Sequence, residues 1–414
     1  MRIIKDGRHI YTYRAVTELN WRLLPCDAHA VTTAFVAGAG IGGLATAVAL
    51  RNAGVDVTLT EQAVDLRGTG AALSLWPNAL EACRMLGVLD EVLEVSSKEM
   101  RGGVTDSNGR WIARADRDLA ERYFGGPSVL IRRVDLLRIL RDAAPEIPIR
   151  FATRCVSAGQ DESGGWVELD GGSQVRADAV IGCDGIHSTV RPSLGDSSAP
   201  RYAGIACWRA ITPNPGLVDE SWLTASDGKL FLAAALGEDN VYVAQAVRMM
   251  AGRSWSLGDQ LAYLKDQFAG WHHPIPSLLD LMANEEVIVD DIYHRPPPRA
   301  LARGRIALVG DAAHPMTPDL GQGGCQAIED AVVLGRSFAD RSTVENALKH
   351  YELRRLRRVR TVVRHSTQIC RFTITANPVV NLLRDPVLRA WPSRLQMAYM
   401  ARFASKGSFL DSLQ

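Results

Sequence analysis

The sequence has few residues from which a covalent or metal-bound framework could be built. Seven cysteines are scattered over the 414 residues, and no two of them form a Cys-x-x-Cys pair. An odd number of cysteines at irregular spacing argues against a disulfide framework and against a zinc site. We therefore expect reduced thiols, no metal site and a cytoplasmic protein.

The sequence also lacks an excess of charge of either sign and a long apolar run. Lys and Arg number 47 and Asp and Glu number 46, which gives a net charge of +1. Such a chain has no strong overall field for nucleic acid or an anionic membrane, and no apolar run is long enough to span a bilayer. We predict a globular protein with no nucleic-acid partner and no membrane span. Its oligomeric state stays open.

The length of the chain indicates two domains, or one domain with a large insertion. The first 33 residues carry charges throughout and lack the apolar centre of a signal peptide. We interpret them as an appended segment, with a natural start near Val31 as the alternative. The predicted fold is α/β and comprises 1–33, an N-terminal extension; 34–199, the first part of a Rossmann-like nucleotide-binding domain with a parallel sheet; 200–298, a mixed or antiparallel-sheet substrate domain; 299–343, the return to the first domain; and 344–414, C-terminal helices.

A glycine-rich turn between a predicted strand and a predicted helix indicates a dinucleotide site. Residues 34–37 form the apolar run of a buried parallel strand, and the pattern Gly-x-Gly-x-x-Gly follows. The glycines permit a tight turn and close approach of the backbone to a pyrophosphate at the helix N-terminus. An acidic residue ends the next strand, where it can bind a ribose. FAD and NAD remain open at this point. The assigned residues are Gly38, Gly40, Ile41, Gly42, Gly43, Glu61 and Gln62.

Two further motifs each follow a predicted strand. They are Cys183-Asp-Gly-Ile-His-Ser-Thr-Val-Arg191 and a Gly-Asp motif that begins at Gly310 and runs to Gly324. At these residues the chain resembles the para-hydroxybenzoate hydroxylase class of single-component flavin monooxygenases over residues 34–370. The stretch through Ala331 is most similar to the branch that contains urate, salicylate and 3-hydroxybenzoate hydroxylases and zeaxanthin epoxidase.

This resemblance implies an FAD-dependent monooxygenase that hydroxylates an aromatic or electron-rich small molecule. In the family, NADH or NADPH reduces non-covalently bound FAD, O2 adds at the flavin C4a position, and the hydroperoxide transfers oxygen to the substrate. One alternative is a flavin epoxidase or a tailoring hydroxylase for a polycyclic or isoprenoid natural product. A NAD-dependent dehydrogenase and a flavin-binding protein without turnover are alternatives from other classes.

The Gly-Asp motif connects the fold to the flavin chemistry. Asp311 follows a strand, where ligand-facing residues of an open α/β sheet lie, and its carboxylate can accept hydrogen bonds from ribityl hydroxyls. A helix-capping role is the alternative. The glycines near its end open a helix whose N-terminus offers N–H groups and positive potential to a reduced flavin. The predicted flavin contacts are Gly310, Asp311, Pro318, Gly321, Gln322, Gly323 and Gly324.

Three other residues complete the predicted cofactor site. The resemblance places Asp184 and Gly185 on the pyrophosphate side of FAD. It also places Arg133 in the segment whose arginine reaches the cofactor, where a guanidinium suits a phosphate or a flavin edge. An ion pair of Arg133 with Asp135 or Glu61 is the alternative.

The substrate is expected over the flavin, against the second sheet. Candidate catalytic residues are Trp208 and Arg209 on that sheet and Asp319, which could orient or deprotonate a hydroxyl or ring N–H. A core position for Trp208 and loop capping by Asp319 are the alternatives. In urate-type relatives a basic residue follows a Gly-Lys pair, whereas here Leu230 follows Lys229. This difference favours a more apolar substrate.

Other charged side chains near the motifs receive structural interpretations. His187, His314 and Arg191 lie inside the motifs, and we expect them to pack or pin their loops. A helix after Val344 is rich in arginine, and we interpret its arginines as a solvated basic face, with a partner or membrane patch as the alternative. They are Arg354, Arg355, Arg357, Arg358 and Arg360.

Overall fold

The chain divides into two units, Met1–Val31 and Thr32–Gln414. The computed structural model describes residues 3–6, 9–12, 32–66, 72–98, 102–115, 117–341, 343–411 and 413. In the first unit, two strands form an antiparallel hairpin. Residues 13–31 of the predicted extension, with its alternative start, lie outside the described residues.

The described strands and helices are as follows, in chain order. The strands are β1 (Ile3–Asp6), β2 (His9–Thr12), β3 (Thr33–Ala37), β4 (Asp56–Thr60), β5 (Ala72–Leu75), β6 (Ser97–Lys98), β7 (Gly102–Thr105), β8 (Trp111–Ala115), β9 (Val129–Arg132), β10 (Ile149–Arg150), β11 (Cys155–Asp161), β12 (Gly164–Leu169), β13 (Gln174–Ala177), β14 (Ala179–Gly182), β15 (Arg201–Pro213), β16 (Ser221–Ser226), β17 (Lys229–Leu236), β18 (Asn240–Arg248), β19 (Ile288–His294), β20 (Ala302–Arg303) and β21 (Ile306–Leu308). The helices are α1 (Ile41–Asn52), α2 (Pro77–Leu86), α3 (Leu89–Val95), α4 (Arg117–Phe124), α5 (Arg133–Asp142), α6 (Leu257–Gln267), α7 (Ile275–Leu281), α8 (Gly323–Ala339), α9 (Val344–Thr373), α10 (Pro378–Ala390), α11 (Ser393–Ala404) and α12 (Lys406–Asp411).

Short apolar strands build a parallel sheet in the larger unit. Its order is β10-β4-β3-β14-β21-β20, and only the edge pair of β20 and β21 is antiparallel. Strands β14 and β21 are buried at every residue and β3 at all but its first, as expected for strands covered on both faces. The three strands predicted ahead of the three motifs are therefore neighbours, and their carboxyl ends lie side by side.

A second sheet of seven strands has the order β19-β15-β18-β17-β16-β7-β8. All its pairs are antiparallel except the parallel pair of β7 and β16. A mostly antiparallel sheet was expected from residues 200–298, and five of the strands come from there. Strands β7 and β8 come instead from residues 102–115, which the sequence analysis placed in the first domain.

The side of the second sheet that faces α6 and α7 carries an aromatic core. Trp208 is 0% exposed there, and its ring centroid lies 5.7 Å from those of Trp255 and Tyr263. Phe231 and Phe268 belong to the same cluster. The structure therefore corrects the choice of Trp208 as a catalytic residue and supports its alternative, a core position, because aromatic and aliphatic side chains enclose the indole.

Two further features of the described residues concern thiols and membranes. None of their six cysteines forms a disulfide. None of the helices in these ranges is both long and apolar enough to cross a bilayer.

We expect Trp208→Ala to lower the free energy of unfolding by about 3–5 kcal/mol, because it leaves a large cavity in the aromatic core. Trp391→Ala removes a tryptophan that is 38% exposed, and it should cost less than about 1 kcal/mol. Urea unfolding followed by circular dichroism measures both. Similar small effects of the two substitutions would contradict the core position of Trp208.

Candidate active site

A cleft opens at the carboxyl ends of β3, β14 and β21, and the second sheet contributes one residue to its wall. Its cavity volume is about 250 Å³. All three motifs contribute to its walls. The lining residues are Gly40, Ile41, Gly42, Ala72, Leu73, Arg133, Cys183, Gly185, Arg209, Val309, Gly310, Asp311, Gly323, Gly324 and Ala327.

The first wall of the cleft is the glycine turn between β3 and α1. Gly38 has a φ of +95°, which L side chains rarely adopt. A Cβ on Gly43 would lie 1.8 Å from the Gly38 carbonyl oxygen, so only glycine permits this close approach. Helix α1 then starts without a side-chain cap and without an acidic residue in its first turn. Its N-terminal N–H groups are therefore available to an anion.

Glu61 follows β4 and holds the glycine turn. Its carboxylate accepts hydrogen bonds from the N–H groups of Ala39 at 2.8 Å and Ala63 at 2.9 Å. These hydrogen bonds keep the Glu61 carboxylate beside the glycine turn. Neither Glu61 nor its exposed neighbour Gln62 lines the cleft.

The Asp-Gly motif after β14 is fixed from two sides. Asp184 Oδ2 accepts from the Thr189 N–H at 2.7 Å and from its hydroxyl at 3.0 Å, whereas the buried Oδ1 has no partner among the described residues. Arg191 donates to the carbonyls of Ala312 and Ala313, both at 2.8 Å. Arg191 thus joins this motif to the Gly-Asp motif, which agrees with the structural role predicted for it.

Asp311 and Arg133 face each other across the cleft. Asp311 lies in the short 3-10 helix Gly310–Ala312 after β21, surrounded by protein but with its side chain open to the cleft. Burial raises the pKa of its carboxyl, while His314 and Arg133 oppose the rise. Arg133 starts α5, and burial lowers the pKa of its guanidinium while Asp311 opposes this effect. The carboxylate that acts on Arg133 is therefore Asp311, and not the Asp135 or Glu61 of the alternative.

The start of α8 forms the opposite wall. Gly323 and Gly324 line the cleft, and α8 has no side-chain cap. Gln322, 1% exposed, turns its side chain away and accepts from Asn78 Nδ2 at 2.9 Å. Of the predicted contacts in this segment, Pro318, Gly321 and Gln322 are not lining residues.

Asp319 lies in the short 3-10 helix Pro318–Leu320 and does not line the cleft. Burial raises the pKa of its carboxyl, and hydrogen bonds with Cys370 and Thr317 oppose the rise. Its Oδ2 is buried and has no partner among the described residues. A role in orienting substrate therefore stays a prediction.

A buried network of charged side chains on α8 and α9 holds the Gly-Asp motif in place. Asp330 of α8 accepts through Oδ2 from the Gly310 N–H at 3.1 Å and from His314 Nε2 at 2.5 Å. Its other oxygen accepts from Arg355 Nε at 2.6 Å. Arg355 also pairs with Glu329, which accepts from Arg358 at 2.6 Å. Two carboxylates thus meet two guanidiniums, as buried charges require.

This network corrects the expectation that the arginines of α9 form a solvated face. Arg355 is 0% exposed, and the Arg358 side chain is only 10% exposed, whereas Leu353 is 70% exposed. The buried face of α9 follows Tyr351, Arg355 and Val359, so helical spacing from the tyrosine points Arg355 inward. The interpretation of His314 as a loop-packing residue agrees with its 0% exposure. His187 is exposed and does not share that role.

The network also sets the ionisation of its acids. Burial alone would raise the pKa of Glu329, but Arg358 and Arg355 outweigh it and hold the pKa below its ordinary value. Burial likewise opposes ionisation of Asp330, and His314 and Arg355 lower its pKa. Both acids are therefore ionised at neutral pH.

The second sheet brings Arg209 to the cleft, and Tyr242 lies on the same face of that sheet. Arg209 lies on the face of β15 opposite Trp208, lines the cleft and pairs with Asp290 of β19. Its Nε has no partner among the described residues. Tyr242 is 7% exposed; burial raises the pKa of its phenol, and Arg209 opposes the rise. Sequence reasoning missed Tyr242. Its neighbours on β18, Val241 and Val243, point into the aromatic core, so strand alternation places Tyr242 on the other face of the sheet.

Comparison with known proteins shows the family to which the chain belongs. Residues 31–366 match the family of the FAD binding domain. The chain is 33% identical over 368 residues to the aurachin C monooxygenase/isomerase of Stigmatella aurantiaca, across 87% of this chain and 94% of that protein. It is 33% identical over 350 residues to an FAD-dependent urate hydroxylase of Klebsiella pneumoniae, across 82% and 90% of the two chains.

Among solved structures, HpxO of Klebsiella pneumoniae in complex with FAD and uric acid is similar to the chain. The TM-score is 0.84 at 30% sequence identity, and the match covers 92% of this chain and 97% of HpxO.

Arg355→Met should lower the free energy of unfolding by about 3–5 kcal/mol, because it leaves Glu329 and Asp330 buried with too little positive charge. Arg357→Met on the same helix changes an exposed arginine and should stay within about 0.5 kcal/mol of the wild type. Urea unfolding at neutral pH measures both. Equal stabilities of the two variants would show that the buried network does not support the fold.

Proposed function

The chain belongs to the FAD binding domain family of FAD-dependent monooxygenases, and FAD is its cofactor; from this premise we propose that it hydroxylates an aromatic or electron-rich small molecule with O2 and NADH or NADPH. The observation that carries the proposal is the meeting of three strand ends at one cleft that also receives Arg209 from the second sheet. The family match argues against the NAD-dependent dehydrogenase.

The donors and acceptors around the cleft fit the nucleotide part of FAD. The free N–H groups at the start of α1 suit the pyrophosphate. Glu61, beside the glycine turn, suits a ribose hydroxyl. The buried Asp184 Oδ1, which has no partner among the described residues, can accept from a hydroxyl or from water at the phosphates. Gly185 lets the cofactor approach the backbone closely.

The flavin part fits the other end of the cleft. Asp311 would accept from ribityl hydroxyls, and Arg133 would donate to the cofactor from the facing wall. The N-terminus of α8 at Gly323 and Gly324 would stabilise negative charge on the reduced ring by roughly 1 kcal/mol. Bound FAD, once reduced by NADH or NADPH, supplies the activation of O2 and the transfer of one oxygen atom.

The substrate side combines one cation with apolar walls. Arg209 would bind an oxygen or an anionic group of the substrate, and Tyr242 beside it would help to orient that group. Leu232, Ala234 and Ala244 pack on the Tyr242 side of the sheet. Asp319 is the candidate for orienting or deprotonating a hydroxyl. These walls also keep water from the reacting atoms.

A larger apolar substrate is the second candidate, for which the enzyme would be an epoxidase or a tailoring hydroxylase on a polycyclic or isoprenoid compound. The observation that favours it is Leu230, which packs with apolar residues. The family resemblance implies a basic residue at this position in urate-type relatives. Urate is therefore a poorer candidate than an apolar ring with one polar substituent.

Substrate-stimulated oxidation of NADH and NADPH over phenols, aromatic acids and fused-ring compounds tests the proposal. We expect at least one compound to accelerate oxidation and to gain one oxygen atom by mass spectrometry. Acceleration that yields only H2O2 with every compound, in protein that carries FAD, would contradict the hydroxylase function.

Arg209→Met should raise KM for the accepted substrate by about 10- to 100-fold, because it removes a charged hydrogen bond of about 1.5–3 kcal/mol. Arg201→Met, at the exposed start of the same strand, is the matched control and should leave KM unchanged. Steady-state kinetics of product formation measures both. Equal KM values for the two variants would remove Arg209 from the substrate site.

A further inference from the structure

An exposed apolar stripe runs along one side of α10. Val379, Leu383 and Val387 are 61%, 63% and 62% exposed, and their spacing of four residues places them in one row. Two more exposed apolar side chains follow at the same sequence spacing after the end of α10, Trp391 at 38% and Leu395 at 55% exposure. Contiguous apolar surface of this kind on a folded domain marks an interaction site.

The opposite side of α10 is already anchored to the molecule. Arg384 is 5% exposed and donates to the carbonyls of Thr373 at 3.0 Å and Ala225 at 3.2 Å. Arg389 pairs with Asp106 at 2.9 Å. The helix is therefore fixed by its polar side, and its apolar row points away from the core to which it is attached.

The segment of the chain that carries the stripe is rich in basic residues. Residues 360–410 contain eight Lys and Arg against a single acid, Asp385, although the whole chain carries only +1. Asp385 is paired with Arg384 at 2.8 Å. Arg371, Arg394 and Arg402 are exposed. Among the described residues, two acids from outside this segment contact the helix: Asp227 accepts from Asn381, and Asp106 pairs with Arg389. The eight basic residues exceed these two acids and Asp385, so the net charge here is positive.

We propose that this face, the α10 stripe of Val379, Leu383, Val387, Trp391 and Leu395, docks on the surface of an anionic lipid bilayer. An amphipathic helix lies in the interface with its apolar row among the acyl chains and its arginines at the headgroups. Tryptophan prefers that depth. Each basic side chain near an anionic surface strengthens binding roughly fivefold.

A second copy of the chain is a poorer occupant of the stripe. A two-fold dimer places the same patch of both subunits face to face, so the arginines around one stripe would meet those around the other. Anionic headgroups instead complement the positive field and cover the apolar row at the same time.

Sedimentation with lipid vesicles tests the proposal on the full-length, FAD-loaded protein. The probes are vesicles of phosphatidylcholine alone and vesicles with about 30% phosphatidylserine. We expect binding to the anionic vesicles to be at least about tenfold tighter and to weaken as salt screens the charges. The double variant Leu383→Gln/Val387→Gln should lose about tenfold or more of this affinity.

A matched double variant separates the stripe from general surface hydrophobicity. Val64→Gln/Leu353→Gln changes two side chains that are 72% and 70% exposed elsewhere, and it should bind vesicles like the wild type. FAD content and thermal unfolding establish that both variants are folded. Absence of binding to anionic vesicles, or equal losses in the two variants, would overturn the proposal. A dimer in light scattering that only the α10 variant dissociates would assign the stripe to a second copy and overturn it as well.

Discussion

The Asp330 carboxylate holds the Gly-Asp motif in place. It binds the Gly310 N–H and His314 with one oxygen and Arg355 with the other. It thereby ties the end of β21 to α8, the helix whose N-terminus forms a wall of the cleft. A buried carboxylate is stable only when its charge is balanced, and Arg355 and Arg358 on α9 supply that balance for both Asp330 and Glu329. The position of Asp311 thus depends on a helix that does not touch the cleft.

Adjacent parallel strands explain why motifs far apart in sequence meet. Because β3, β14 and β21 are neighbours, the turns that follow them share one edge of the sheet, as in other open α/β sheets that bind ligands there. The second sheet adds the charged side chain of Arg209 to this cleft. Successive residues of β15 point to opposite faces, so Trp208 completes a core while Arg209 reaches the cleft. One strand therefore serves both stability and recognition.

Patterns with a local cause were predictable from the sequence, and pairings across the chain were not. The glycine turn at Gly38, the strand ends and the opening of α8 follow from short-range sterics and hydrogen bonding, and the structure places them as expected. Arg355 was misread because a charged residue suggests solvent unless its acidic partner, twenty-five residues earlier, is recognised. Gln322 lies in the right segment, but its direction depends on Asn78. Tyr242 could have been found, because its apolar neighbours on β18 fix the face to which it points.

We infer that one cleft receives the flavin between the Gly-Asp motif, the start of α8 and Arg209. A crystal structure of the protein with FAD and an accepted substrate tests it most directly. We expect a ribityl hydroxyl within about 3.2 Å of the Asp311 carboxylate, the ring against Gly323 and Gly324, and the substrate on the Arg209 side of the ring. A flavin bound elsewhere, with Asp311 and the α8 N-terminus free of ligand, would contradict it.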